Sequence, residues 1–294
     1  MIDKLRNYFP SLQHYETIPV KLNQELAWFI TADSQLIGIH PDELQEKDLA
    51  LFRTFLKPYQ SKFPSMTIEE KKWLQWTQAE DVLPDIDFTF RLVYFQVPLN
   101  QIDPKGFKDA INQLFDHEVT ILWQNENEGV IVDKLHKNLD DSISYKEIID
   151  ILMSDLYIKI RFFVGPYLST LEGLRDHYQQ LLAAAKLTFQ HSQHNVVTYL
   201  EAIPYILMGN TGTTFKKNLR QFILQEFIDD VEFIHMMEVF FESNLNISEA
   251  AKKLYMHRNS LQYRIEKFYE RTGIDVRVFQ QAITVYLAVL AKDE

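Results

Sequence analysis

The stretch Asn246-Ile-Ser-Glu-Ala-Ala-Lys-Lys-Leu-Tyr-Met-His-Arg-Asn-Ser-Leu-Gln-Tyr-Arg-Ile-Glu-Lys-Phe268 carries two short helical patterns joined by a brief break. Either Asn246 or Ser248 can offer a side-chain oxygen to the first free amides of a helix. Ala250, Ala251 and Leu254 then give that helix a small apolar face, and small residues let a second helix cross closely. Tyr255-Met256-His257 forms the turn, and a second helix starts near Arg258. Leu261, Ile265 and Phe268 fall at i, i+4 and i+7 and must face inward. His257, Arg258, Asn259, Ser260, Gln262, Tyr263 and Arg264 are left on the outer face near the helix start. These cationic, amide and hydroxyl groups are the types that base edges and phosphates require. A recognition helix reads bases with its N-terminal residues, and that is where they sit. The spacing predicts a helix-turn-helix over Asn246 to Arg271 with double-stranded DNA as partner. Asn246, Ser248 and Lys267 complete the candidate DNA-binding set, Lys267 at a phosphate because it lies more than two turns past the helix start. An ordinary helical hairpin with a solvated polar face fits the same pattern, because this motif has no invariant chemistry.

Charge is permissive without deciding between these. The chain is 294 residues long with net charge −11, which by itself argues against nucleic acid. From Asn246 onward there are eight basic and six acidic residues, net +2, which leaves −13 on residues 1–245. A weakly basic tail on an acidic body fits a DNA-reading end. Cysteine is absent, so disulfides and thiolate metal sites are excluded. The start, Met1 to Pro10, holds no apolar run of signal-peptide length, and no uncharged apolar stretch reaches a membrane span. The expectation is a soluble, cytoplasmic chain of two or three domains with no membrane partner.

Upstream, 26–31 and 35–39 are apolar runs that predict a hairpin, and Pro41-Asp42 opens a helix with Leu49, Phe52, Phe55 and Leu56 on one face. Thr67-Ile-Glu-Glu70 reads as a capping box before a helix bearing Trp73 and Trp76. From Phe88 the pattern is strand (88–97), helix (104–115), a hairpin across 119–132, helix (145–156), a strand from Ile158 that stops at Gly165-Pro166, and helix (171–189). That order is a ferredoxin-like split βαβ arrangement. The rest is helical: 199–208, 215–227, 231–242, the helix-turn-helix, and 277–291. The expected organisation is an α+β N-terminal sensor or interaction domain over 1–85, an α/β domain over 86–190, a helical linker over 191–230, and an all-α DNA-binding domain over 231–294.

Asn259-Ser-Leu261, with His257-Arg258 before it and Tyr263-Arg264 after, closely resembles the His-Arg-Asn-Thr-Leu-x-Tyr-Arg motif of the PucR and CdaR family, the purine-catabolism and sugar-diacid regulators. Phe240 to Leu254 and Thr272-Gly-Ile-Asp-Val276 match as well, so the resemblance spans about Phe233 to Leu290. Ser260 stands where threonine is usual, which keeps the hydroxyl. The unit also resembles the DNA-binding domain of Fis. By this resemblance Asn246, His257, Arg258, Ser260, Tyr263 and Arg264 face DNA, and the protein is a cytoplasmic, oligomeric transcription factor. The same family often carries a degenerate GGDEF-like domain before the helix-turn-helix. Phe90 to Val97, the 119–132 hairpin and Val164-Gly165 before a long helix resemble that layout. A working cyclase would show Gly-Gly-Asp/Glu-Glu-Phe at the hairpin turn; here it is Gln124-Asn-Glu-Asn-Glu-Gly129. Glu126 and Glu128 read as solvated turn acids rather than metal ligands.

Other chemistry finds little support. There is no G-x-S-x-G, no P-loop and no G-x-G-x-x-G. His191 and His194 read as loop residues without a third ligand. Trp28, Phe29, Trp73, Trp76 and Trp123 read as core, with a sensor pocket lined by one of them as the alternative. The expected function is a sequence-specific transcriptional regulator of a metabolic operon, with N-terminal and central domains that sense an effector of unspecified chemistry or dimerise. No catalytic residue, metal site or cofactor is expected, residues for effector binding are not identified, and the assembly is a homodimer or higher even oligomer. Two alternatives stand beside it. A cyclase-like nucleotide-processing enzyme with an attached helix-turn-helix is opposed by the turn at 124–129, and a scaffold that never meets DNA is opposed by outward Arg258 and Arg264.

Overall fold

Apolar runs of β-branched and aromatic residues pair at the N-terminus as the alternation predicts. Strands β2 (Ala27–Ile30) and β3 (Leu36–Ile39) form an antiparallel hairpin. β1 (Gln13–Tyr15) and β4 (Lys57–Pro58) extend it to the order β1-β3-β2-β4. The computed structural model describes residues 2–16, 19, 22–23, 25–33, 35–59, 63–80, 82–98, 101–115, 118–135, 144–155 and 157–291; the expected hairpin turn reaches Ser34 and the expected helix end Leu156, both outside them. Helix α1 covers Ile2–Arg6. Pro41 opens only a 3-10 turn, Pro41–Glu43. Helix α2 (Glu46–Phe55) starts later, capped by Gln45 and Asp48. Phe52 is buried from this helix and stacks on Phe29 at 5.2 Å. Phe55, expected on the same face, is 74% exposed, because the helix ends there and the chain straightens into β4.

Helix α3 (Ile68–Trp76) carries the capping box in full: Thr67 Oγ1 accepts from the Glu70 amide and Glu70 Oε2 accepts from the Thr67 amide. The sequence groups this helix with the N-terminal segment, yet it packs on the following sheet. Trp73 is fully buried with its ring 4.8 Å from Phe90. Glu70, buried, accepts from Lys108 Nζ at 2.9 Å, and Lys134 Nζ donates to Glu69 at 2.8 Å.

That sheet holds β5 (Phe90–Gln96), β6 (Thr120–Asn125), β7 (Glu128–Lys134), β8 (Arg161–Leu168) and β9 (Val196–Thr198) in the order β6-β7-β5-β8-β9. Every pairing is antiparallel except β8 with β9. Helices α4 (Pro104–Phe115) and α5 (Tyr145–Asp155) bury Phe107, Ile111, Ile148 and Leu152 against Val93, Phe95, Ile121, Ile131 and Phe162. β8 does not stop at Gly165-Pro166 but runs on to Leu168. The register against β5 shifts between Arg91 and Val93, and this bulge admits a proline that has no amide to donate. Helix α6 (Leu174–His191) starts three residues later than expected, after Gly173 in the left-handed region at φ 67°. His191 therefore ends a helix rather than lying in a loop, and His194 follows it.

The chain divides into two compact units, Met1–Leu182 with His194–Tyr199, and Ala183–Gln193 with Leu200–Glu294. The second is helical: α7 (Tyr199–Gly209), α8 (Thr213–Leu224), α9 (Val231–Glu242), α10 (Ile247–Lys253), α11 (Arg258–Thr272) and α12 (Phe279–Leu290). α8 ends at Leu224 rather than Phe227, where a 3-10 turn takes over, and α12 starts at Phe279 rather than Arg277. Among the described residues no helix is long and apolar enough to cross a membrane.

Candidate nucleic-acid interface

A platform of aromatic rings and small residues fixes the position of α11. Leu261, Ile265 and Phe268 are buried at 0%, 2% and 0% exposure, so the inward face is the one the spacing specified. Phe227, Phe233 and Phe268 form a ring cluster with centroids 4.5 to 5.3 Å apart. Ala250 and Ala251 are buried in the same core, which brings α10 close to α9 and α11.

The caps resolve which residues start each helix. Asn246 Oδ1 accepts from the amides of Ser248 at 3.0 Å and Glu249 at 3.1 Å, so Asn246 is the cap of α10 and Ser248 lies in its first turn. Tyr255 sits in the turn at φ 53°, left-handed, with its side chain 99% exposed. His257 caps α11, its Nδ1 accepting from the Asn259 amide at 3.3 Å. Gly273, at φ 75°, closes α11 as glycine can and other residues rarely do.

Nine of the ten expected contact residues are exposed: Asn246, Ser248, His257, Arg258, Asn259, Ser260, Gln262, Tyr263 and Lys267. The spacing of Leu261, Ile265 and Phe268 turns the 257–263 group outward together, at the positively polarised end of α11. Arg264 differs. It is half-buried, and its Nη2 lies 3.5 Å from Glu232 Oε2 at the start of α9. Two turns on, Arg271 Nε lies 3.5 Å from Glu226 Oε1. Arg277 pairs with Asp275 at 2.8 Å, and its hydrogen bond holds that carboxyl below the usual range. Among the described residues no carboxylate lies within 4.0 Å of the Arg258 or Lys267 charge. A cleft of about 520 Å³ runs beside α11, with Asp230 and Glu232 on one wall and Asn259, Tyr263, Arg264 and Lys267 on the other. The acidic wall is the part that sequence reasoning missed. Asp230 and Glu232 are legible as part of an acid-rich run, but nothing in the sequence places them against a helix about thirty positions later.

The hairpin turn of the central sheet serves structure. Glu128 is not simply solvated: it accepts from the Tyr94 hydroxyl and from Asn125 Nδ2, because β7 sets it beside the buried Tyr94 of β5. Burial and the neighbouring carboxylate push the Tyr94 hydroxyl far above its ordinary pKa. No group of three possible metal ligands occurs among the described residues. Of the five aromatics read as core, Trp28, Phe29 and Trp73 are buried, while Trp76 and Trp123 are partly so.

Residues 233–291 match the family described as the PucR C-terminal helix-turn-helix domain. Over most of its length the chain is similar to the Bacillus subtilis protein YxkF, 30% identical over 280 residues that cover 91% of each chain. It is also similar to the leucine-rich protein of Streptococcus dysgalactiae subsp. equisimilis, 23% identical over 98% of this chain and 99% of that one. The purine catabolism regulatory protein of Bacillus subtilis is 32% identical over 75 residues, 26% of this chain and 14% of that protein. The chain belongs to the PucR-type family of helix-turn-helix transcriptional regulators.

Proposed function

We propose that this regulator reads double-stranded DNA with the N-terminal half of α11, with the rest of the chain serving effector sensing, dimerisation or both. The carrying observation is the outward array of His257, Arg258, Asn259, Ser260, Gln262 and Tyr263 over a buried Leu261-Ile265-Phe268 face. Arg258, in the first turn and without a carboxylate partner among the described residues, suits a guanine edge; Asn259, Ser260, Gln262 and Tyr263 suit base edges and sugar-phosphate. Asn246 and Ser248 at the start of α10, and Lys267 further along α11, suit phosphates.

The strand order β6-β7-β5-β8, with α4 and α5 as crossovers, supports a ferredoxin-like split βαβ core for the central segment. A degenerate GGDEF-like relative of that core is the reading it favours. The turn residues Glu126-Asn127 and the structural use of Glu128 speak against cyclase chemistry, so the role proposed for this segment is non-enzymatic. The protein acts in the cytoplasm on a metabolic operon, as a homodimer or higher even oligomer, since one helix-turn-helix covers too few base pairs for specific affinity. Selection of bound duplexes from a random pool tests this. The expected outcome is a sequence with two half-sites spaced by about one helical turn, roughly 34–36 Å, or a multiple of it. A pool that shows no enrichment, with binding absent at low salt, would overturn the DNA reading.

A further inference from the structure

Among the described residues Arg264 is the cation of the reading surface that the protein pairs with a carboxylate of its own. Glu232 projects from the first turn of α9, 82% exposed, with Oε2 3.5 Å from Arg264 Nη2; Arg264 keeps 41% exposure. Both line the cleft that holds Asn259, Ser260, Tyr263 and Lys267, so the carboxylate stands on the side from which a DNA strand would approach those donors. The arrangement repeats one step along, where Glu226 faces Arg271, seven residues on from Arg264. Asp230 cannot substitute for Glu232 without cost, because its Oδ1 caps α9 by accepting from the Phe233 amide. Arg258 and Lys267, on the same helix, have no such acid among the described residues. The cations of α11 are thus sorted into free and held.

We propose that Glu232 is an intramolecular stand-in for a DNA phosphate: it holds Arg264 and so withholds one backbone contact from sequence-independent binding. This rests on the reading of α11 as the DNA-binding helix. A guanidinium matches carboxylate and phosphate oxygens with the same planar fork, so a residue satisfied by Glu232 is set up for a phosphate. As an exposed pair it adds little to folding, which leaves its weight on binding. With the pair intact, the helix brings no net charge from these two positions to DNA. Neutralising Glu232 adds one cation, and each added phosphate contact releases close to one counterion.

The test is a two-by-two set in the full-length chain: wild type, Glu232→Gln, Arg264→Gln and the double variant, each titrated with a random-sequence duplex at several salt concentrations. Glu232→Gln should tighten binding about three- to ten-fold at low salt and steepen the salt slope by roughly one unit. Arg264→Gln alone should weaken binding, because it leaves the Glu232 carboxylate uncompensated in the cleft, yet keep the wild-type salt slope, because no Arg264 phosphate contact is lost; in the Glu232→Gln background it should return the slope to the wild-type value. All four should show the same helical content and melting temperature. If Arg264→Gln lowers the salt slope in the wild-type background as much as in the Glu232→Gln background, or Glu232→Gln gains nothing, the stand-in role is overturned while DNA binding by α11 survives. If the wild type binds no duplex at low salt, both fall.

Discussion

The rings of Phe233 in α9 and Phe268 in α11 stack with centroids 5.1 Å apart and 27° between planes. Phe268 is completely buried and Phe233 nearly so, and Phe227 closes the cluster edge-on to Phe268. This stack sets the distance from α9 to α11. Phe268→Ala should destabilise the helical unit by about 3–5 kcal/mol. Denaturant unfolding followed by circular dichroism checks it. DNA affinity should fall only in proportion to the unfolded fraction, and a fully folded variant that had lost DNA binding would contradict this division of labour.

Arg258 and Lys267 share α11 but should fail differently. Arg258→Ala should cost about 1–3 kcal/mol on the preferred duplex and relax preference at one base position. Lys267→Ala should weaken preferred and scrambled duplexes alike and lower the salt slope by roughly one unit. Titration of both duplexes across salt separates the two. A folded Arg258→Ala that binds the preferred duplex at full strength would remove this helix from the major groove.

Tyr255 holds a left-handed conformation in the turn between α10 and α11 while its side chain touches almost nothing. An L-residue there carries a steric cost that glycine lacks, partly offset by the greater freedom of glycine when unfolded. Tyr255→Gly should therefore stabilise the unit by about 0.5–1 kcal/mol. The readout is a higher denaturant midpoint at unchanged m-value. A lower midpoint would mean that the exposed ring contributes to folding after all.

Glu70 and Lys108 form a buried pair, 2.9 Å apart, that joins α3 to α4 at the β6 edge of the central sheet. Glu70 also accepts from the Ile121 amide of β6 at 3.3 Å. Removing one partner leaves a charge in the interior, so Lys108→Met should destabilise the first unit by about 3–5 kcal/mol. Glu70→Gln with Lys108→Met should recover part of that loss, since no uncompensated charge remains. Thermal unfolding of the three proteins decides, and equal losses in single and double variants would show that shape rather than charge is at stake.

The helix-turn-helix was legible from residues 246 to 268 because its determinants are local. Caps, a 3.6-residue apolar period and a polar outer face act within one or two turns, so α10 and α11 appear where the spacing puts them and Leu261, Ile265 and Phe268 point inward. The capping box at Thr67-Glu70 and the order β5-α4-β6-β7-α5-β8 were readable for the same reason, whereas the short β9, inside the stretch 191–230 expected to be a helical linker, was not, because it is held by its pairing to β8. Element ends were less so. β8 passes through Gly165-Pro166 because a bulge in β8, where this pair opposes the single residue Leu92 of β5, accommodates the proline, which is a property of the pairing and not of the dipeptide. Whether α3 belongs with the residues before or after it was decided by Trp73 meeting Phe90 and Glu70 meeting Lys108, contacts whose partners lie 17 and 38 positions away. The choice of Asn246 over Ser248 as cap turned on backbone geometry at one residue. Above all, the sequence determines that Arg258, Arg264 and Lys267 are cations on one helix, and only the tertiary structure divides them. The turn after α8 brings Glu232 to Arg264 and, among the described residues, leaves the other two without a carboxylate partner, because charge acts through space while the sequence orders residues only along the chain.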